Sequence, residues 1–313
     1  MKVSVIVPTH RRVTDLLRCL DALAAQRRIA DETIVVTRID DRLTHERLAQ
    51  WQHQHALPGL RIVTIAEPGV VAAYNLGLDT ASGDIVCFTD DDAAPHRTWL
   101  ERIAFAFAVD SRIGGLGGRD IIYRDGQPVT GAHRRVGMIS WYGRMSGNHH
   151  LGVGRARRVA VLKGVNMCWR RAAIAGLRFD ARLRGSGAQV HCELAFSLAV
   201  ARRGWWLVYD PELVVDHYHA PRLDEDQRHR FNALAFFNAC HNMRLIMYEA
   251  MPAWRRACYL VYALGVGGRD DPGLVRALKL AVDGDGWTRA MHKLALAGRA
   301  AIAARRTARA AMH

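Results

Sequence analysis

Three consecutive carboxylates, Asp90, Asp91 and Asp92, follow the apolar run Ile85–Phe88 in the stretch DIVCFTDDDAAP. Adjacent like charges repel, and nothing in packing asks for them. An Asp-x-Asp pair offers hard oxygen ligands to a divalent cation, Mg²⁺ or Mn²⁺, which keeps some waters and recruits phosphates. In extended backbone Asp90 and Asp92 face one way and Asp91 the other. A cation held there would neutralise a diphosphate leaving group, which is Lewis-acid chemistry without a protein nucleophile. The competing reading gives one or two of the three a capping or turn role.

The elements that must present these acids are legible upstream. Apolar strands VSVIV, ETIVVT, LRIVTI and DIVCFT alternate with helical stretches, one carrying Leu16, Leu17, Leu20, Leu23 and Ala24 on one face. Near-continuous apolar strands separated by amphipathic helices predict an α/β fold, a mostly parallel sheet with helices on both faces. The loop Pro8–Arg12 and the acidic triplet both follow strands, so they share the carboxyl rim, where open sheets of this kind hold nucleotides.

The 313 residues carry 44 Lys and Arg against 30 Asp and Glu, a net charge of +14 that predicts an anionic partner. Residues 126–179 contain no acid, while Arg134, Arg135, Arg144, Arg155, Arg157, Arg158, Lys163, Arg170 and Arg171 accumulate there. Such a run is either a solvated face or a surface for a phosphate-bearing substrate. The six cysteines are scattered without a C-x-x-C pair and read as reduced core residues of a cytoplasmic protein. The opening MKVSVIVPTHRR has too short an apolar run for an export signal, and ACYLVYALGVGG is too short to span a bilayer. Three regions are expected: 1–113 for the nucleotide, 114–222 for the acceptor, and a helical 223–313. The Ala- and Arg-rich end, GRAAIAARRTARAAMH, suits peripheral contact with an anionic membrane, at the inner face of the plasma membrane, or a frayed tail.

Five stretches then occur in order: VSVIVPTHRR, PGVVAAYNLGL, GDIVCFTDDDAAP, LKGVNMCWRRAA and HCELAFSLAVARRGWWLVYDPELVVDH. Together they resemble the inverting glycosyltransferases of family 2, over about Lys2 to His219. The resemblance implies a GT-A fold, a nucleoside-diphosphate sugar as donor, Mn²⁺ or Mg²⁺ as cofactor, and a glycan or lipid-linked acceptor. It implies that Pro8, Thr9 and Arg11 lie in the loop around the nucleotide. Gly69 and Asn75 belong to a segment that lets a helix approach it, and Asp90 and Asp91 also line it. Asp90, Asp92 and His217 would hold the metal, and Glu193 would be the general base. His149, His150, Lys163, Asn166, Trp169 and His191 are expected at the acceptor.

Two positions depart from the family. Thr37 and Arg38 stand where an Asp pair usually follows the second strand, with Asp40 or Asp41 as the substitutes left open, and both are expected at the nucleotide. The base is Glu193 preceded by Cys192, one methylene longer than the usual Asp preceded by Glu. A catalytically inactive relative that binds nucleotide or glycan is the alternative these departures raise. A nucleotidyltransferase would need a glycine-rich phosphate loop, which PTHRR lacks. A nucleic-acid module would place aromatics among the basic residues, and the acidic triplet would repel a phosphate backbone.

Overall fold

The apolar runs of the first hundred residues become parallel strands because both faces are covered. The computed structural model describes residues 1–124, 126–227, 230–268 and 271–310. In chain order β1 (Val3–Pro8), α1 (Val13–Ala24), β2 (Glu32–Arg38), α2 (Arg42–Gln54), β3 (Leu60–Ile65), α3 (Val70–Thr80) and β4 (Ile85–Phe88) alternate. Val3, Val5, Ile6 and Val7 of β1 are fully buried, as are all four residues of β4. On α1, Leu16, Cys19, Leu20 and Leu23 recur at helical spacing and face the same core. The order of elements then becomes irregular: β5 (Ala93–Pro95), α4 (Trp99–Val109), β6 (Ile113–Arg124), β7 (Gln127–Pro128), β8 (Met138–Ile139), β9 (Met145–Ser146) and β10 (Arg157–Arg158). They are followed by β11 (Met167–Arg170), α5 (Arg171–Ile174), α6 (Cys192–Arg202) and β12 (Trp206–His217).

The main sheet runs β10-β12-β6-β11-β4-β1-β2-β3, with β5 paired to β12 and β7 to β6. β1, β2, β3 and β4 are mutually parallel. β11 enters antiparallel between β4 and β6, and β12 runs parallel to β6. The register of β12 on β6 shifts between Asp210 and Val214, at Gly118. A Cβ on Gly118 would collide with the Leu213 carbonyl, so only glycine lets the two backbones pass at this irregularity.

The chain divides into two compact units. The first, residues 1–138, 146–179 and 196–220, contains this sheet. The second takes residues 139–145 and 180–195 and the described residues from 221 on. It is built on α7 (Ala233–Ala250), α8 (Ala253–Gly265), α9 (Leu274–Leu280) and α10 (Trp287–Ala310). Cys240 of α7 packs on Ala297 and Ala300 of α10, where small side chains let the helices close up. Asn242 of α7 holds the 180–195 segment: its amide donates to the Arg184 and Val190 carbonyls and its Oδ1 accepts the Arg184 amide. No described helix is long and apolar enough to cross a membrane.

Candidate active site

Within the first unit, two strand ends converge. β4 runs out at Phe88, and the chain passes Asp90, Asp91 and Asp92 before β5 turns it onto β12. β12 ends at His217, and the Tyr218 amide donates to the Asp92 carbonyl at 2.9 Å. The Ala220 amide donates to Asp92 Oδ2 at 2.8 Å. Asp92 therefore fixes the exit of β12 with both its backbone and its side chain.

One donor atom each from Asp90, Asp92 and His217 lies within 4.8 Å of the other two. Asp92 and His217 are buried, and Asp90 is partly exposed. His217 Nε2 lies 3.3 Å from Asp92 Oδ1, and its Nδ1 lies 3.4 Å from Asp120 Oδ2. Asp120, fully buried on β6, is also paired with Lys163. Burial pushes the Asp120 carboxyl up, but Lys163 and His217 outweigh it and hold it well below the usual carboxylate range. Burial lowers His217, and the neighbouring carboxylates of Asp120 and Asp92 more than reverse that. Two carboxylates and an imidazole backed by a second carboxylate form the donor set of a divalent cation. The residues therefore fit the metal that the triplet predicts.

Asp91 points elsewhere, as alternation predicts. It accepts the Thr9 hydroxyl at 2.8 Å and the Arg12 guanidinium at 3.1 Å. Burial, with help from Asp92 and Asp90 and against Arg12 and Thr9, pushes its carboxyl up to about 7. Thr9 and Arg12 thus tie the first loop to the acidic turn. The Tyr74 hydroxyl on α3 donates to Asp90 at 3.4 Å.

A sequence profile described as Glycosyl transferase family 2 matches residues 4–169, more than half of the chain. The chain belongs to glycosyl transferase family 2. Among curated proteins, glycosyltransferase AglE of Haloferax volcanii is 35% identical over 103 residues, 32% of this chain and 33% of that protein. An uncharacterized glycosyltransferase, alr2836 of Nostoc sp., is 30% identical over 132 residues, 42% of this chain and 39% of that protein. The chain thus spans well under half the length of either relative. Among solved structures, the mannosyltransferase PcManGT from Pyrobaculum calidifontis, in complex with GDP-Man and Mn²⁺, superposes with a TM-score of 0.59 at 17% identity. That match covers 96% of this chain and 87% of the other. S. aureus TarS 1-349 in complex with UDP-GlcNAc gives 0.59 at 17% identity, covering 95% and 81%. GalNAc-T7 with UDP, GalNAc and Mn²⁺ gives 0.64 at 14%, covering 90% and 54%. The fold these likenesses share is GT-A, as the five stretches imply.

In this family member the other expected residues fall into distinct places. Gly69, with φ of +108°, caps α3 where a side chain would be strained. Asn75 gives both ends of its amide to the Phe179 backbone, 3.0 Å to the carbonyl and 2.9 Å from the amide N–H. Pro8 closes β1, and the Thr37 hydroxyl is 2.6 Å from His45 Nε2. Arg38 and Arg11 both approach Asp40, whereas Asp41 caps α2 and accepts the Arg11 amide. Of the two candidate substitutes for the missing Asp pair, Asp40 is therefore the exposed one.

Three acceptor expectations are corrected. Asn166 is fully buried: its Oδ1 accepts the Trp99 indole at 2.9 Å, and its amide donates to the Leu213 carbonyl at 2.9 Å. Trp169 is fully buried against Phe196 and over Gly115, so it cannot stack on a sugar. His149, expected at the acceptor, is buried in a short 3₁₀ turn with Nε2 on the Val161 carbonyl at 3.0 Å. Lys163 is committed to Asp120, and His150 beside it is partly buried. Glu193 sits partly buried in the first turn of α6, in the second unit, 3.7 Å from the Cys192 thiol. His191, two residues before it, adopts a left-handed backbone with φ of +78°.

Sequence reasoning points to neither Asp120 nor Arg12. An acid inside the otherwise apolar run GGLGGRDIIY is the signal for Asp120, because an unpaired carboxylate is rarely buried. Arg12 differs from Arg11 only in direction, which the left-handed turn at Arg11, φ of +55°, decides.

Proposed function

We propose that the chain is a metal-dependent, inverting glycosyltransferase. It would move a sugar from a nucleoside-diphosphate donor to an acceptor hydroxyl in the synthesis of a cell-surface glycan or glycoconjugate. The observation that carries this reading is the Asp90–Asp92–His217 cluster, backed by Asp120, at the carboxyl end of the parallel strands. The solved structures with GDP-Man or UDP-GlcNAc support a nucleotide-sugar donor for a chain of this fold. Asp90, Asp92 and His217 would hold Mn²⁺ or Mg²⁺, which supplies Lewis-acid neutralisation of the diphosphate. Pro8, Thr9, Arg11, Thr37, Arg38, Gly69, Asn75 and Asp91 frame the nucleotide in this reading. Residues 1–113 form the donor half and 114–222 the acceptor half, with His150 and His191 at the acceptor.

Glu193 would take the proton from the acceptor hydroxyl. The freed oxygen attacks the anomeric carbon, the nucleoside diphosphate leaves from the opposite face, and the configuration inverts. General-base help of this kind contributes ~10²–10⁴ in rate. Glu193→Gln is expected to lose turnover on that scale while nucleotide binding stays within about twofold, since the proton is moved only in the reaction. Loss of nucleotide affinity together with turnover would remove Glu193 from the role of base.

Calorimetric titration with UDP, GDP, dTDP and CDP, each with and without Mn²⁺, tests the donor site. One nucleotide should bind in a metal-dependent way in the wild type and not in Asp92→Asn. No binding of any of the four in the presence of metal would leave the inactive relative as the better reading. Thr37, whose hydroxyl is already engaged by His45, would then be the residue that cost the site its nucleotide.

A further inference from the structure

A cavity of about 800 Å³ lies wholly within the helical unit, walled by α7, α8, α9, the 142–145 and 266–268 segments and His191. Its lining carries three cations and one acid. Arg144, Arg276 and Lys279 line it. The acid in the wall, Asp271, is already neutralised. Arg244, itself almost fully buried, reaches it with Nη2 at 2.8 Å and Nε at 3.1 Å. Tyr259 adds a polar group that lacks a partner. It is 2% exposed, and among the described residues its hydroxyl has no hydrogen-bond partner, nor does the buried Nε of Arg276. Burying a donor without an acceptor is costly, so both groups point to an acceptor that the protein does not supply.

Part of the remaining lining is apolar and exposed. Val266 and Val275 line the cavity and are 48% and 57% exposed. Leu274 and Leu278 beside them on α9 are exposed as well. A free sugar phosphate would leave these side chains in water, whereas an alkyl or prenyl chain would cover them. We propose that this cavity binds the phosphate group of a lipid, with Tyr259, Arg276 and Lys279 on the phosphate and Val266 and Val275 against the chain. The cavity is separate from the metal-binding residues, which all lie in the first unit, but its wall includes His191, so the proposal rests in part on the acceptor reading given above.

Titrating the full-length protein with n-octyl phosphate below its micelle concentration tests this, with n-octanol and inorganic phosphate as the two other arms. Octyl phosphate should bind saturably at one site per chain, with each other arm at least about tenfold weaker, the equivalent of ~1.4 kcal/mol. Arg276→Gln combined with Lys279→Gln, on the partly exposed rim, should weaken octyl phosphate binding at least about tenfold. Tyr259→Phe keeps the ring and should also weaken it, with an unchanged near-ultraviolet spectrum showing that the unit is folded. Nucleotide titrations should be unaffected in all variants. Inorganic phosphate binding as tightly as octyl phosphate would make this a free-phosphate site and overturn the lipid assignment. Octanol binding equally well would overturn the role of the cations. Binding that the rim variants leave intact, or no binding, would overturn the proposal outright.

Discussion

At His217 one ring nitrogen faces Asp92 and the other Asp120, so the imidazole cannot flip without losing a contact. A carboxylate behind a metal-binding histidine fixes its ring and raises its basicity, and losing it commonly costs 10–100-fold in metal affinity. Asp120→Asn is expected to weaken Mn²⁺ binding on that scale, read by electron paramagnetic resonance of free Mn²⁺. The variant also strands the Lys163 ammonium, so Asp120→Asn with Lys163→Met should recover thermal stability without recovering affinity. Recovery of both would reduce Asp120 to a partner for Lys163. His149 gives a residue-scale prediction about pH. Burial, the largest influence, lowers it to about 4, so the unfolded chain takes up a proton near pH 6.5 that the folded protein refuses. Stability from this group is complete above pH 6.5 and falls by ~3 kcal/mol as pH drops towards 4. In His149→Gln the urea midpoint should change less between pH 7.5 and 5 than in the wild type. These residues also show what a sequence withholds. A histidine or asparagine in a glycine-rich run is equally compatible with a surface loop and a buried strap, because burial there is set by distant strands.

The strands and helices divide along the same line. β1 to β4 were legible because each is a short apolar run whose burial depends on helices adjacent in the chain. The acidic triplet was legible as a site because nothing local explains it. The middle was not. β5 is three residues ending in proline, and the antiparallel entry of β11 between β4 and β6 depends on pairings with strands far off in sequence. Asn166 stands at that entry, joined to Trp99 of α4 and to the Leu213 carbonyl of β12. Asn166→Ala leaves a buried indole N–H and a buried carbonyl unpaired, each at ~1–3 kcal/mol. A loss of about 3 kcal/mol in the urea unfolding free energy is expected, with the side chain far from any direct part in turnover. A loss below 0.5 kcal/mol would mean that other groups or water replace the amide.

For the whole chain, +14 is the property with the longest reach. If the peripheral contact with anionic membrane suited to the basic C-terminal stretch holds, cosedimentation with phosphatidylserine vesicles should be strong at about 50 mM salt. It should collapse near 0.5 M, where the screening length falls to a few ångströms, and neutral vesicles should not pull the protein down at either salt. Persistence at high salt would assign the contact to the exposed apolar side chains of α8 and α9 instead. The bond from the Ala220 amide to Asp92 joins positions 128 residues apart. A ribosome that has made the acidic triplet has therefore made only a fragment of the metal corner. β6 likewise waits for β12, its parallel neighbour, and the cluster assembles only after His217 has emerged. The emerging chain must carry its three acids through that interval without the cation that suits them. A divalent ion bound at the finished corner would act as a late staple across most of the first unit.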